Sequence, residues 1–491
     1  MIEMQPLMHY VPLLLIAVGY GFIFGLIPVA GVKLGLIALY PYADLFLGDP
    51  YSMVIMIAGV FVSASIGDMF ASVCMNIPGG GGSTATMLDG FPMSKRGEAT
   101  RALSAGLFGA VSQAVLWGGI CILMLPFYAN FVMYFGIPEM FLLCVLAMTA
   151  ICFTGNNYPF RGMLACGLGV LVGMTGEHPM DHQVYRFVVF DWEYIKQGYQ
   201  IIPVMAGILA VPEILEHIRT KITIPPSVHN NWQQIKMGFK DWWKHKWDSV
   251  QGGAIGTLIG AIPGLGGSIS EWLAYASVSA RPKPTDTHPF GMGNVRGVIG
   301  VEGANLAQKA AVFVPTILFG IPGAAGQVIV MALLAYVGMD LGSDAVLDDP
   351  DFFKALGWGW MMAVFVTFFL AILFFRWATL LLRIPFYFWG PLLIGIVVWA
   401  SMQHTGTLDD LWVLLIFVAL GMGMKHGKFN RIAFVIGFIL SAKVEQLGFI
   451  YFQLYGFTDL VTRPISAVLV ATIVSAIVYG LYFNKTRIQY T

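Results

Sequence analysis

Nine apolar stretches, near 103–125, 138–154, 160–176, 200–216, 358–375, 386–402, 411–424, 431–447 and 465–483, recur along this chain of 491 residues. Each reaches or approaches the roughly 20 residues that an α-helix needs to cross a bilayer. Between them the charges are few: 27 Lys or Arg and 27 Asp or Glu, 11% of the chain, against about 25% in soluble domains. With 57% of residues hydrophobic, a water-soluble core cannot hold them all, and the remainder must face lipid. That excludes a soluble enzyme, a disordered chain, a disulfide scaffold and a basic nucleic-acid binder. The expected fold is all-α, a polytopic membrane protein of roughly 10–12 spans plus re-entrant or broken helices, because only helices and closed barrels satisfy their backbone inside lipid.

The charges are sorted by loop. Lys485 and Arg487 place the C-terminus on the cytoplasmic side by the positive-inside rule. Alternation then puts Lys425, Lys428 and Arg431 inside, Asp409 and Asp410 outside, and Arg376 and Arg383 inside. The loop 340–354 falls outside, with five Asp against Lys354. The loop 217–250 carries six Lys or Arg against Asp241 and Asp248 and falls inside, the acidic loop 177–199 outside, and Lys95, Arg96 and Arg101 inside. Within 217–250, Trp232, Ile235, Phe239, Trp243 and Trp247 recur at helical spacing with Lys236, Lys240, Lys244 and Lys246 between them. That is the pattern of a helix lying in the membrane interface. Residues 1–32 hold no Lys or Arg, so the basic leader of a secretory signal is missing and the chain is expected to be inserted rather than secreted.

Three further regions, 11–40, 51–89 and 251–339, are apolar but interrupted by Gly and Pro, and two pairs of interruptions match. Gly-Leu-Ile-Pro at 25–28 corresponds to Gly-Ala-Ile-Pro-Gly-Leu-Gly-Gly-Ser at 260–268, an offset of 235 residues. Asn-Ile-Pro-Gly-Gly-Gly-Gly-Ser at 76–83 corresponds to Gly-Ile-Pro-Gly-Ala-Ala-Gly at 320–326, an offset of 244. The chain therefore divides into a first repeat at 1–216, with broken segments 11–40 and 51–89; a cytoplasmic interfacial helix at 217–250; and a second repeat at 251–491, with broken segments 251–280 and 297–339. The first repeat leads into a basic turn at 90–101 and the second into the acidic loop 340–354, so the two are expected to lie in opposite orientations, with positions 94 and 346 on opposite sides. Paired broken helices in inverted repeats are the sequence pointer to a transporter site near the midplane.

Proline removes an amide donor and glycine permits a tight turn with exposed backbone. Inside a membrane such a break survives only where it is buried in protein or lines a wet cavity. Freed helix N-termini suit a carboxylate, and freed carbonyls with the hydroxyls of Ser83, Thr84 and Ser268 suit a small hard cation such as Na+. Isolated glycines are equally explained by close helix packing, but prolines do not serve that purpose. The residues expected to bind a carboxylate substrate are Asn76, Pro78, Gly79, Gly80, Ser83, Thr84, Gly264, Gly266, Gly267, Ser268, Asn305, Pro322 and Gly323. Ionisable residues within a membrane are costly and usually functional, which makes Asp68, Glu271 and Glu302, with Ser83 and Ser268, candidates for a coupling ion, Na+ or H+. Lys309 lies seven residues from Glu302, on a shared helix face.

Other chemistry finds no support. His178 and His182 sit in an acidic outer loop and read as solvated. Cys74, Cys121, Cys144, Cys152 and Cys166 lie in apolar stretches and read as packing residues. No catalytic constellation suggests an enzyme, and the Gly-rich runs lack the Gly-Lys-Ser/Thr ending of a nucleotide loop. No cofactor, structural metal or nucleic-acid partner is expected. The rivals to a transporter are a channel, an intramembrane enzyme and an assembly factor; the last has no use for buried Gly/Pro breaks.

The stretch Asn76-Ile-Pro-Gly, followed by Ser83-Thr84-Ala-Thr86-Met-Leu-Asp89-Gly-Phe-Pro92-Met and Gly97, resembles a signature of the large membrane subunit of the tripartite tricarboxylate transporters. The stretch Ile262-Pro-Gly-Leu-Gly-Gly-Ser, Ala274-Tyr275, Glu302-Gly-Ala-Asn305 and Gly320-Ile-Pro-Gly is similar to the other, and Glu445 and Thr462-Arg-Pro-Ile-Ser466 also fit. The resemblance implies a secondary transporter of the bacterial inner membrane. It would work with a small membrane subunit of some four helices and a periplasmic substrate-binding protein, and import tricarboxylates, dicarboxylates or related organic acids on a cation gradient. A carrier or channel for organic anions without a binding protein is the alternative. The chain departs from the family pattern at Pro28-Val29, Asn305-Leu306, Asp340-Leu-Gly-Ser and the Gly79–Gly82 run, so the acid need not be citrate.

Overall fold

The computed structural model describes residues 4–28, 30–77, 82–132, 134–153, 159–178, 184–188, 192–219, 232–264, 269–284, 286–382, 384, 386–403, 405–456 and 459–487. The chain is helical, with a single two-stranded ribbon, Gly176–Glu177 against Tyr185–Arg186, among these residues. In order, the helices are α1 (Val11–Leu26), α2 (Gly31–Leu39), α3 (Pro50–Met75), α4 (Met87–Lys95), α5 (Ala99–Gln113), α6 (Gly119–Val132), α7 (Ile137–Cys152) and α8 (Pro159–Gly173). Then follow α9 (Glu193–Lys196), α10 (Ile201–Met205), α11 (Val211–Arg219), α12 (Trp232–Lys244), α13 (Lys246–Gly260), α14 (Ile269–Ser279), α15 (Val295–Ala311) and α16 (Phe313–Phe319). The last are α17 (Ala325–Tyr336), α18 (Asp344–Leu347), α19 (Pro350–Leu382), α20 (Phe386–Met402), α21 (Asp409–His426), α22 (Arg431–Leu454), α23 (Asp459–Thr462) and α24 (Pro464–Arg487). Each of the nine apolar stretches is built on helix within the described residues, although 160–176 leaves the helix after Gly173 and runs into the ribbon at Gly176. Among the described residues six helical segments are long and apolar enough to cross a membrane, and five shorter apolar helices accompany them.

A core bundle forms where α1 and α19 pack on α3, and α5 and α13 on α15. A flanking bundle forms where α7 and α8 pack on α22, α24 on α7, and α11 on α20. The seam between them is made by α2 against α20 and α17 against α22 and α10.

The two repeats are visible as packing. A Cβ on Gly21 would lie 3.0 Å from the Val60 carbonyl oxygen, and one on Gly25 2.3 Å from that of Ala64. With the offsets seen in the sequence, the matching contacts are Gly256 on the Ala304 oxygen at 2.3 Å and Gly260 on the Gln308 oxygen at 2.9 Å. The helix pairs α1/α3 and α13/α15 thus approach through equivalent glycines, as small residues allow in membranes. The second breaks also match: α3 ends on Asn76 at φ 56°, ψ 34°, and α16 ends on Gly320 at φ 58°, ψ 35°. Both are left-handed caps that release the chain into Ile-Pro. The repeats run oppositely. Phe61 meets Phe313 at 5.3 Å between ring centroids, whereas a Cβ on Gly106 would touch Met69, Val298 and Glu302 together. Advancing along α3 therefore means retreating along α16 and α15.

The sorting of charge survives in three dimensions. At one end Arg96 bonds the Met292 and Gly293 carbonyls at 2.6 and 2.9 Å, Arg101 pairs with Asp241 at 2.6 Å, and Arg161 bonds the Gly427 carbonyl at 2.7 Å. At the other, Tyr51 bonds Asp349 at 3.0 Å, Tyr336 and Gln403 bond Asp44 at 2.5 and 3.0 Å, and Trp192 bonds Asp409 at 2.9 Å. Ser94 and Val346 are buried, so their exposed neighbours Lys95 and Asp348 are the better probes. Single cysteines there are expected to react with a membrane-impermeant reagent from opposite sides; labelling from one side would refute inverted insertion.

Several details differ from the sequence reading. Region 51–89 contains an unbroken helix, α3, and its break begins only at Asn76; Gly59 and Gly67 inside it serve packing against α1. The amphipathic segment is two helices that part at His245, so Trp247 belongs to α13, and the boundary at 250 falls inside that helix. The helix α12 lies on α5 through Gly238, against Ser104 and the Arg101 carbonyl, while Trp232, Phe239 and Trp243 stay exposed. His178 is half-buried rather than fully solvated: it stands 3.4 Å from Glu445, which also holds Arg186; His182 lies outside the described residues.

Candidate functional site

The break after α3 returns through a short turn, Gly82–Thr84, that packs against α3, α4, α14 and α15. This brings the first repeat's break onto the second repeat's helices. Glu302 of α15 is the centre of the contact. Thr86 donates its hydroxyl to Glu302 Oε1 at 2.5 Å, and Asn305 Nδ2 donates to Oε2 at 3.2 Å. One turn of helix separates Glu302 and Asn305, which is why both can serve the same carboxylate group. Glu302, Asn305, Thr86 and Ser83 are all buried, and Thr84 is half-buried.

Three other ionisable groups share this region. Glu271, on the first turn of α14, accepts from Ser270 Oγ at 2.9 Å through Oε2, while its Oε1 has no hydrogen-bond partner among the described residues. Asp68 of α3 is buried with its Oδ1 equally unpartnered. Lys309 of α15 is half-buried and lies within electrostatic reach of Asp68, Glu271 and Glu302; Lys33 of α2 lies within reach of Asp68. Orphaned carboxylate oxygens in a protein interior are rare, because each forfeits its hydration without compensation. Their chemistry fits a cation or a proton shared among them.

Ser83, Thr84, Asn305, Asp68, Glu271 and Glu302 thus belong to one region where α3 and its break meet α14 and α15, while Asn76, which caps α3, is exposed. Pro78, Gly79, Gly80, Gly266, Gly267 and Ser268 lie outside the described residues. Gly264, left-handed at φ 76°, presses on the backbone of Ala147 in α7, so the described part of the second tip touches the flanking bundle. Pro322 and Gly323 stand apart. The Gly323 amide donates to Thr316 Oγ1 at 3.2 Å, and its Cα faces Val312. Val312 is ten residues beyond Glu302, about 15 Å along the helix. The fourth break therefore lines the seam rather than the carboxylate cluster: Lys443 of α22 donates to the Phe319 carbonyl at 2.5 Å, satisfying an oxygen left open at the end of α16.

Lys309, Lys33 and Asp89 are not among the residues that the sequence singles out for binding, although Lys309 shares a helix face with Glu302 and Asp89 stands in the family-like stretch. A lone lysine in an apolar broken segment was the available signal for the first two. Asp89 of α4 accepts three backbone amides through Oδ1, from Gly291, Gly293 and Asn294 at 2.9, 2.8 and 2.8 Å. It ties the first repeat's break to the loop that starts α15. Among the described residues no group of three His, Cys, Asp or Glu side chains is placed to hold a metal ion.

A family model described as the tripartite tricarboxylate transporter TctA family matches residues 12–436. A protein of Agrobacterium vitis, described as an uncharacterized 52.8 kDa protein in the TAR-I ttuC' 3' region, is 23% identical over 432 residues, covering 87% of this chain and 84% of its own. Another from the same organism, described as an uncharacterized protein in the TAR-II ttuC' 3' region, is 24% identical over 198 residues, 39% of this chain and 78% of its own. No solved structure matches.

Proposed function

Because the chain belongs to the tripartite tricarboxylate transporter TctA family, we propose that it is the subunit that carries a small organic carboxylate across the bacterial inner membrane, coupled to Na+ or H+. The family is a transporter family, and its tripartite system implies partner subunits. In this reading the partners are a small membrane subunit and a periplasmic binding protein that docks over the acidic end, on loops such as 340–354.

The observation that carries the proposal is the buried cluster of Asp68, Glu271 and Glu302 beside Lys309, with two carboxylate oxygens unpartnered among the described residues. Three acids there repel an incoming carboxylate. The repulsion falls when a cation or proton joins them, and Lys309 then offers the substrate a counter-charge. Binding of acid and cation is in this way mutually dependent, which is what coupling requires. The substrate carboxylates would be held by Asn76, Ser83, Thr84 and Asn305, with the glycine-rich runs at 78–81 and 264–268 supplying backbone amides. Translocation would move the core bundle along the seam against the flanking bundle.

Uptake of labelled citrate and other di- and tricarboxylates into proteoliposomes, with the binding protein and a Na+ or H+ gradient, tests this. Saturable, gradient-dependent uptake is expected, falling at least about tenfold in Asn76→Ala and Asn305→Ala, the equivalent of about 1.4 kcal/mol. Uptake indifferent to both substitutions would overturn the site. Flux without the gradient or the binding protein would favour the simpler carrier or channel.

A further inference from the structure

A second feature lies away from the carboxylate cluster, at the basic end of the molecule. In the seam, between α2 and the flanking bundle, is a cavity of about 240 Å³, lined by Lys33 of α2, Glu213 of α11, and Lys428, Asn430 and Arg431 at the start of α22. Three cations meet one carboxylate there. That carboxylate is already engaged, because Arg431 Nη2 bonds Glu213 at 3.2 Å. Arg431 is held in place by a device in the backbone: its Nη1 donates to the Ile208 carbonyl at 3.1 Å, within the π-helical turn Ala206–Ala210. Such turns release carbonyls from the helix ladder and occur often at functional positions. Asn430 fixes the start of α22, accepting from the amides of Ile432 and Ala433 at 3.1 and 3.2 Å and donating to the Ile151 carbonyl at 2.9 Å. Arg431 and Asn430 are therefore fixed in the wall by hydrogen bonds to backbone on neighbouring elements.

Lys33 is the exception. It is half-buried and forms no ion pair within 4 Å among the described residues, in a helix whose other residues are buried. An ammonium in that setting is costly without an anion.

We propose that this cavity is an anion-binding site, distinct from the carboxylate cluster, that takes a compact anion with several carboxylate or phosphate oxygens. Bound there, the anion joins α2, which packs on α1 and α3 of the core bundle, to α11 and α22 of the flanking bundle. It thereby holds the seam in one position. It also competes with Asp68 for the field of Lys33, which links its occupancy to the cluster. A soluble di- or tricarboxylate and the phosphate of an anionic lipid headgroup offer the same chemistry, and basic pockets between membrane helices recognise headgroups in this way.

The test is the thermal unfolding midpoint of the full chain in neutral phosphatidylcholine nanodiscs, with citrate added or with phosphatidylglycerol included in the disc. A ligand of the folded state raises the midpoint. The wild type and Asn305→Ala are expected to respond to at least one of the two anions. Lys33→Gln and Lys428→Gln are each expected to lose half or more of that response, and Lys33→Arg to keep it. A response to citrate alone identifies the soluble acid, and to phosphatidylglycerol alone the lipid; either supports the site. No response in the wild type, or an undiminished response in both glutamine variants, overturns it. A response abolished by Asn305→Ala but intact in the lysine variants also overturns it, while leaving the transport reading standing.

Discussion

Arg296→Ala is expected to destabilise the folded chain by about 3–5 kcal/mol, the usual cost of removing one partner from a buried ion pair. Arg296 is 1% exposed and spends its whole guanidinium. Nε and Nη2 grip the two oxygens of Asp248 at 2.7 and 3.3 Å, and Nη1 reaches Asp286 at 2.9 Å and the Arg281 carbonyl at 3.0 Å. These contacts tie the start of α15 to α13 and to the segment that leaves α14. Without the guanidinium, Asp248 is left buried with the Lys283 ammonium at 3.7 Å as its remaining cation among the described residues, and the His245 ring at 3.8 Å. Arg296→Lys keeps the charge but not the fork, and should fall between. Unfolding of the purified chain in detergent reads the difference, with Lys354→Ala as the control. Lys354 pairs with Asp351 at the surface, and such pairs contribute about 0–1 kcal/mol. An Arg296→Ala variant as stable as that control would refute the role.

The same network has a pH signature. Burial works to raise the Asp286 carboxyl, but the Lys283 amide at 2.8 Å and the Arg296 charge outweigh it and hold the group below the ordinary aspartate range. A depressed carboxyl contributes stability that is complete above the unfolded aspartate pKa. That contribution is lost as the pH falls through the depressed value. Acid should therefore weaken the wild type through this group, and should take less from Arg296→Ala, where part of the cause is gone.

Much of this architecture could be read from the chain, for identifiable reasons. Length and apolarity determine where a helix must cross lipid, so the nine stretches were legible. Loop charge determines which ends share a side, so the two ends were legible too, and Arg96 and Asp349 do lie at opposite ends of α3 and its partners. Proline betrays breaks, and Asn76 and Gly320 took equivalent left-handed conformations where Ile-Pro follows each. Glycine alone does not discriminate. Gly59 and Gly67 mark packing in α3, whereas Gly264 marks a turn, and only the neighbouring helix decides which. Contacts between repeats were hidden for the same reason. Thr86 and Glu302 are 216 residues apart, and nothing local in either announces the other. Nor could spacing reveal that Gly323 faces Val312 rather than the carboxylates, because that depends on how sharply the chain returns after Gly320.

Glu302→Gln is expected to leave the chain folded and to cut gradient-driven uptake by about 10–100-fold, the equivalent of one charged hydrogen bond of about 1.5–3 kcal/mol. Glutamine is nearly isosteric. Its amide oxygen can accept from Asn305 Nδ2 and its NH2 can donate to the Thr86 hydroxyl, which is free to reverse its role. The geometry seen at 3.2 and 2.5 Å is then kept and only the charge is removed. Glu302→Ala is different: it leaves Thr86 and Asn305 without their shared acceptor in a buried site, at about 1–3 kcal/mol for each group, and should lose stability as well as transport. Comparing exchange of labelled for unlabelled acid with net uptake on a gradient separates the roles. If Glu302 carries the coupling charge, the glutamine variant still exchanges but no longer responds to Na+ or H+. If Glu302 only braces the Gly82–Thr86 segment against α15, the glutamine variant retains gradient-driven uptake within about twofold, inside the ~0.6 kcal/mol that RT represents, and the coupling assignment fails.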